Sequence, residues 1–168
     1  DQPPYTEKNI ETGINDERAF YYQNGGLLPY LRTDGQSLLD QRWVVESFRL
    51  RRIGVEVYED YNIGFMGYYA GPDIHIIDRY ALCDPLLARL PAIQNKKWRI
   101  GHFDRDMPEG YFGTIKTGKN QIKDPNLAAY YEKLAVIIRA PLGSPGRLRV
   151  IWDMNTGRYD DLLSGYRP

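Results

Sequence analysis

The residues of this chain best suited to chemistry gather between positions 78 and 106. They are Asp78, Arg79, Asp84, Arg89, Arg99, His102, Asp104, Arg105 and Asp106. Asp78 and Asp84 flank one short connection, and His102 sits near the end of the run Trp98 to Phe103. Two carboxylates at the ends of neighbouring strands can supply the acid and the base of a hydrolase, here Asp78 and Asp104 with His102 beside them. The spacing is equally served by ordinary roles, in which Asp84 caps a helix, Asp78 pairs with an arginine and His102 bonds to backbone. A metal set of His75, Asp78 and His102 is disfavoured, because His75 and Asp78 point to opposite faces of a straight strand. Cys83 is the single cysteine, which excludes an internal disulfide and any CxxC zinc or redox motif. As a nucleophile it would need His75 or His102 as its base, the only histidines present. A lone cysteine more commonly serves as a small apolar side chain.

A second signal is the run Gly64-Phe65-Met66-Gly67-Tyr68-Tyr69-Ala70-Gly71, which follows one strand pattern and precedes another that ends on Asp78. A glycine-rich turn with an acid further on is the outline of a nucleotide site. Such a site requires a helix after the glycines, whose N–H groups hold phosphate. Pro72 and the strand-like Ile74 to Asp78 argue against that helix, so the glycines are expected to permit close backbone crossings in a sheet, and no cofactor is expected. Tyrosine is abundant, at 14 residues, with 3 tryptophans. A phenol joins an apolar ring to a polar tip, which suits sugar rings, interfaces and a tyrosine-rich core alike. Tyr68, Tyr69, Tyr80 and Tyr111 fall nearest the polar set.

The elements that must position these groups read as a mixture of helices and strands. Residues 1–15 form a polar lead-in and residues 16–168 a single domain. Asp16 is placed to cap a helix through Glu17 to Gln23, and Asp34-Gly35 to make a turn. Ser37 to Ile53 reads as one helix, with Leu38, Val45, Phe48 and Arg52 on one side, widened by Leu39, Trp43 and Val44, and stopped by Gly54. Val55 to Tyr58 and Ile74 to Asp78 are β-branched strands; Ile63 to Ala70 is a further strand or a loop. Asp84-Pro85 starts a short helix over Leu86 to Leu90, and Pro108 opens another with Asp106 as its cap. Trp98 to Phe103 and Leu148 to Trp152 read as strands. Asp124-Pro125 begins the longest helix, Asn126 to Arg139, with Leu127, Tyr130, Tyr131, Leu134 and Ile138 as its apolar stripe. The fold class is therefore α+β, a small mixed sheet of about four to five strands flanked by helices.

Composition sets further bounds. The chain has 168 residues, enough for a core, with 42% hydrophobic and 26% charged residues, as in globular proteins. Lysines and arginines number 22, as do aspartates and glutamates, and zero net charge disfavours a nucleic-acid partner. The basic run Arg49, Arg51 and Arg52 reads as a solvated helix face. No apolar stretch reaches the roughly 20 residues a membrane span needs, and no signal peptide is recognisable. The start at Asp1 is that expected of a processed product or of a piece of a longer protein.

The ordered blocks Gly67-Tyr68-Tyr69-Ala70-Gly71-Pro72, Ile76-Ile77-Asp78, Leu82-Cys83-Asp84-Pro85-Leu86-Leu87-Ala88-Arg89-Leu90-Pro91 and Arg99-Ile100-Gly101-His102 resemble the C-terminal soluble part of bacterial GT-C membrane glycosyltransferases, among them relatives of arabinofuranosyltransferases. The resemblance is strongest from Val55 to Tyr111. It implies a polyprenyl-phosphate sugar donor and a catalytic acid in the membrane part, so no residue of this chain inherits catalysis. It also implies a position on the periplasmic face of the inner membrane. There the domain would assist acceptor glycan binding or brace its own transmembrane region. Ligand contact would fall to Tyr68, Tyr69, Asp78, Arg79, Asp84, Arg99 and His102. The alternatives are a free-standing periplasmic carbohydrate-active hydrolase using Asp78, Asp104 and His102, or a purely structural interaction domain.

Overall fold

The computed structural model describes residues 18–61, 63–93 and 101–167. Where one domain over residues 16–168 is expected, the described chain divides into two compact units. Residues 18–61, 63–76 and 101–103 belong to the first; residues 77–93 and 104–167 belong to the second. Among the described residues, no helix is long and apolar enough to cross a membrane.

In the first unit, α1 (Arg18–Gly25), α2 (Leu27–Arg32) and α3 (Gln36–Leu39) lead into α4 (Arg42–Ile53). The expected turn is present, with Asp34 and Gly35 at φ of 50° and 84°. Ser37 to Ile53 is two helices rather than one. Gln41 breaks it by adopting an extended backbone, and its side-chain Oε1 accepts from the N–H groups of Trp43 at 2.7 Å and Val44 at 3.4 Å. Gln41 thus acts as a cap, a role commonly filled by Asn, Asp or Ser. The break also re-aims the apolar stripe. Trp43, Val44, Ser47 and Leu50 face inward, while Val45 and Phe48 are exposed. Gly54 ends α4 as expected, in the left-handed region at φ 69°.

Strand β1 (Val57–Asp60) begins two residues later than its apolar pattern suggests, and β2 (His75–Asp78) pairs with it in parallel. A parallel pair requires a crossover, which α5 (Gly64–Ala70) supplies. Ile63 to Ala70 is therefore helical, where a strand or loop is expected. The reason lies in packing: Met66 and Ala70, four residues apart, bury one face of α5, and α5 packs against α4. Ser47 ties the two helices, its hydroxyl lying 3.0 Å from the Met66 carbonyl and 2.6 Å from that of Trp43. Trp43, Leu50, Met66, Ala70, Ile74 and Ile76 form the core, with Tyr21, Val55, Tyr58, Ile63 and Phe65 packed around it.

The second unit starts within β2, after Ile76. A short 3-10 turn, Leu87–Arg89, follows Asp84, and α6 (Tyr111–Thr117), α7 (Pro125–Arg139), α8 (Arg147–Asn155) and α9 (Asp161–Ser164) complete it. Helix α6 starts after a left-handed Gly110, so Asp106 does not cap it and Pro108 lies outside it. The start of α7 is as expected, with Asp124 Oδ1 accepting from Leu127 N–H at 2.7 Å and Pro125 in the first turn. Four residues of its stripe are buried, and Ile138 is exposed. Leu148 to Trp152, read as a strand, lies inside α8. Its β-branched Val150 and Ile151 turn toward the half-buried side of a helix packed on α7.

Mixed helix and strand is thus the architecture, but the described residues form one two-stranded sheet rather than four to five strands. The strand expected at Trp98 to Phe103 falls largely outside the described residues; His102 forms an isolated bridge. The cap expected at Asp16 also falls outside them.

Candidate functional site

The candidate residues are divided between the units. Tyr68, Tyr69, His75 and His102 belong to the first; Asp78, Arg79, Cys83, Asp84 and Asp104 belong to the second. Arg99 lies outside the described residues.

Asp78 is 1% exposed at the end of β2. Its Oδ1 accepts from Tyr80 N–H at 3.0 Å, and its Oδ2 accepts from Leu82 and Cys83 N–H at 2.8 and 3.1 Å. The loop it gathers includes Ala81 at φ 59°, a left-handed conformation costly for a residue with a Cβ. This side chain accepts from three backbone donors of a tight turn, an arrangement of a loop organiser rather than of a general base.

Asp84 is also buried, and its Oδ1 accepts from Leu86 and Leu87 N–H at 3.0 and 2.8 Å, the capping role foreseen for it. Tyr111 donates its hydroxyl to the same carboxylate, 3.1 Å from each oxygen. Burial, and then the charge of Asp84, push the Tyr111 phenol far above its ordinary range. Tyr131 stacks edge-on against Tyr111 at 5.8 Å, and its buried hydroxyl has no hydrogen-bond partner. Arg139 lies over the Tyr131 ring at 5.7 Å.

Arg79 donates Nε to the Arg105 carbonyl at 2.6 Å and approaches Asp106 at 3.9 Å. Arg105 N–H returns a bond to the Arg79 carbonyl, so the two segments are laced together through their backbones. Asp104 is half-buried, with Oδ1 enclosed and without a hydrogen-bond partner. The Cys83 thiol is pushed up to about 12, first by desolvation and then by the charges of Asp78 and Asp84. Cys83 is nonetheless exposed, and the two neighbouring carboxylates oppose formation of a thiolate there. Among the described residues, no three His, Cys, Asp or Glu side chains come together as a metal set.

In the first unit, Tyr68 is 80% exposed and meets Tyr69 edge-on at 5.0 Å, while Tyr69 meets Phe48 at 5.7 Å. These rings form an open aromatic ledge. A separate cleft of about 380 Å³ is lined by Tyr21, Asn24, Asp40, Gln41, Arg42, Trp43 and Phe65. Tyr21 and Trp43 stand 6.0 Å apart, and the Arg42 guanidinium lies 4.5 Å from the Trp43 ring centre. The cleft combines three aromatic walls with two amides, a carboxylate and a guanidinium. Phe65 lay in the glycine-rich run and Trp43 in a helix stripe, but the sequence marked none of the others and did not join them into a site. The signal present was the polar-aromatic string Asp40-Gln41-Arg42-Trp43 at a helix start, which the continuous helix pattern concealed.

The fold and its clefts define a mixed helix-and-strand protein in two units, with an aromatic-walled groove in the first and carboxylate-organised loops in the second. No family model, no curated protein and no solved structure matches this chain.

Proposed function

We propose that this chain is a glycan-contacting accessory module of a membrane glycosyltransferase, with the sugar-transfer chemistry residing in a membrane part outside this chain. The ordered blocks from Val55 to Tyr111 support the glycosyltransferase part of the reading, and they carry with it a periplasmic location. The observation that carries glycan contact is the cleft of the first unit. Aromatic faces stack on the C–H faces of sugar rings, while Asn24, Asp40 and Arg42 offer the donors and acceptors that vicinal hydroxyls require. Its volume falls within the roughly 300–1,000 Å³ typical of small-molecule sites. The exposed ledge of Tyr68 and Tyr69 offers a second stacking surface on the same unit. Asp78 and Asp84 act in this reading by holding loops.

Titration of the full chain with arabinofuranosyl and hexose oligosaccharides tests the proposal. Binding is expected, with Arg42→Ala and Asp40→Ala each weakening it about tenfold, in line with the loss of one charge-assisted hydrogen bond. Tyr68→Ala should weaken only longer oligosaccharides that reach the ledge. No saturable binding, or binding indifferent to both cleft variants, sinks the glycan reading.

A further inference from the structure

The second unit holds a cleft of its own, of about 330 Å³, walled by α7, α8, α9 and the 3-10 turn after Asp84. One side is apolar, made by the half-buried Ile137, Ile151, Met154 and Leu163. The polar lining is Arg89, Tyr130, Asn155 and Asp160, so the cleft carries one cation and one anion. Arg89 is anchored by its Nη1, which donates to the Pro85 carbonyl at 2.5 Å, and a guanidinium has further N–H groups to offer. Asp160 precedes α9 without capping it through its side chain. The arginines nearest to Asp160 in sequence turn elsewhere. Arg149 and Arg158 lean on Asp153 at 3.7 and 3.5 Å, and Arg147 donates to the Ile137 carbonyl at 2.7 and 3.1 Å. Asn155 donates its amide N–H to the Ile151 carbonyl at 2.8 Å, which leaves its Oδ1 as an acceptor. The two charges of the cleft act on one phenol. Burial raises Tyr130 above its ordinary value, the Arg89 charge opposes that rise and the Asp160 charge adds to it. Among the described residues, no ion pair joins Arg89 to Asp160.

We infer that this cleft binds a free α-amino acid with an aliphatic or thioether side chain, its carboxylate on Arg89, its ammonium on Asp160 and Asn155, and its side chain against Ile137, Ile151, Met154 and Leu163. A guanidinium fork matches a carboxylate in shape and charge. The charge pattern selects the zwitterion. A simple fatty carboxylate would bring its charge beside Asp160, and a simple alkylamine would bring its charge beside Arg89; a ligand with both charges satisfies both groups. The apolar side calls for an aliphatic chain rather than a sugar, because Tyr130, the one aromatic residue of the lining, is 3% exposed and offers no open face for stacking. The volume is near the lower end of the roughly 300–1,000 Å³ of small-molecule sites, which suits a single amino acid. The inference does not rest on the glycan cleft, which lies in the other unit, so either can fail alone.

The test is calorimetric titration of the full chain with L-leucine and with three relatives of it: isocaproate, which lacks the ammonium, isoamylamine, which lacks the carboxylate, and glycine, which lacks the side chain. Saturable binding of L-leucine is expected, with each relative at least tenfold weaker. Arg89→Gln and Asp160→Asn should each weaken L-leucine about tenfold. Asp160→Asn should at the same time strengthen isocaproate about fivefold, because the repelling charge is gone. That inversion is a readout that a merely structural role of Asp160 would not move. Asp160 makes no side-chain capping bond, so its variant should keep the parent's melting temperature. Absence of saturable L-leucine binding overturns the inference. So does isocaproate or isoamylamine binding as tightly as L-leucine, or L-leucine binding that is unchanged in both variants.

Discussion

The two units fill their interiors differently. In the first, the buried polar side chains among the described residues are Gln41 and Ser47, both neutral, set among Trp43, Leu50, Met66 and Ile74. In the second, carboxylates are buried: Asp78, Asp84 and Asp153. A buried carboxylate is costly unless its lone pairs are engaged, and Asp78 and Asp84 meet that condition with backbone N–H groups. An acid that stands out in a sequence can thus serve to fold irregular chain. The second unit contains such chain between β2 and α6, and there the conspicuous acids lie. The first unit, built mainly from packed helices, instead sets Asn24, Asp40 and Arg42 at the rim of a groove.

The comparison can be broken at several points. The largest effect is expected where the second unit's irregular chain approaches itself most closely. Gly110 sits at φ 84°, and a Cβ there would collide with the Gln121 carbonyl oxygen, so Gly110→Ala should cost about 3–4 kcal/mol in urea denaturation. Gly54 in the first unit has a similar φ of 69° and open space around it, so Gly54→Ala should cost only about 1 kcal/mol. Equal costs at both sites would mean that backbone strain alone, and not crowding, separates them.

Next comes the loop organiser. Asp78→Ala leaves three backbone donors without their acceptor and should cost about 3 kcal/mol, with Asp78→Asn costing less because one oxygen remains. Hydrogen exchange should accelerate at the Tyr80, Leu82 and Cys83 amides. Unchanged exchange at those amides would return Asp78 to the list of ligand-binding candidates.

A smaller effect, about 1 kcal/mol, is expected for Tyr111→Phe, which removes the hydroxyl bond to Asp84. The same residue gives the second unit an alkaline sensitivity. Burial raises Tyr111, Tyr130, Tyr131 and Tyr166 above the ordinary phenol value. Folded phenols therefore stay neutral where unfolded ones ionise. Their contribution is complete below pH of about 10 and is lost as pH rises beyond it. Melting temperature should fall steeply above that pH, and less steeply in Tyr111→Phe.

The smallest effect belongs to the first unit's surface. Glu46 is held below the ordinary carboxylate range, chiefly by its hydrogen bond with Arg49. Its folded value is depressed, so its contribution exists above pH of about 4 and fades as pH falls through that depressed value. The pair is solvent-exposed and screened, so Glu46→Gln should shift the melting temperature barely at pH 7 and not at all in acid. A large shift would show the first unit leaning on charge as heavily as the second.

Some features were written locally. Asp124-Pro125 announces α7, Asp34-Gly35 its turn, Gly54 the end of α4 and Asp84 its capping bonds, because each acts on backbone within a few residues of itself. The β-branched run at Ile74 to Asp78 likewise announces β2. Other features depended on partners far along the chain. Gly64 to Ala70 is helical with Met66 and Ala70 buried on a helix packed against α4, and Leu148 to Trp152 is helical with Val150 and Ile151 half-buried on a helix packed against α7. A short apolar run carries no information about which partner it will meet, and so does not fix its own period. The candidate site follows the same division. Sequence alone announced the capping bonds of Asp84, whereas Asp78, read there as a site acid or an arginine partner, gathers backbone N–H groups within five residues of itself only in the folded loop. Only tertiary structure decided that Tyr21, Asp40, Trp43 and Phe65, distant in the chain, would share one cleft, because a cleft exists only where separate elements meet.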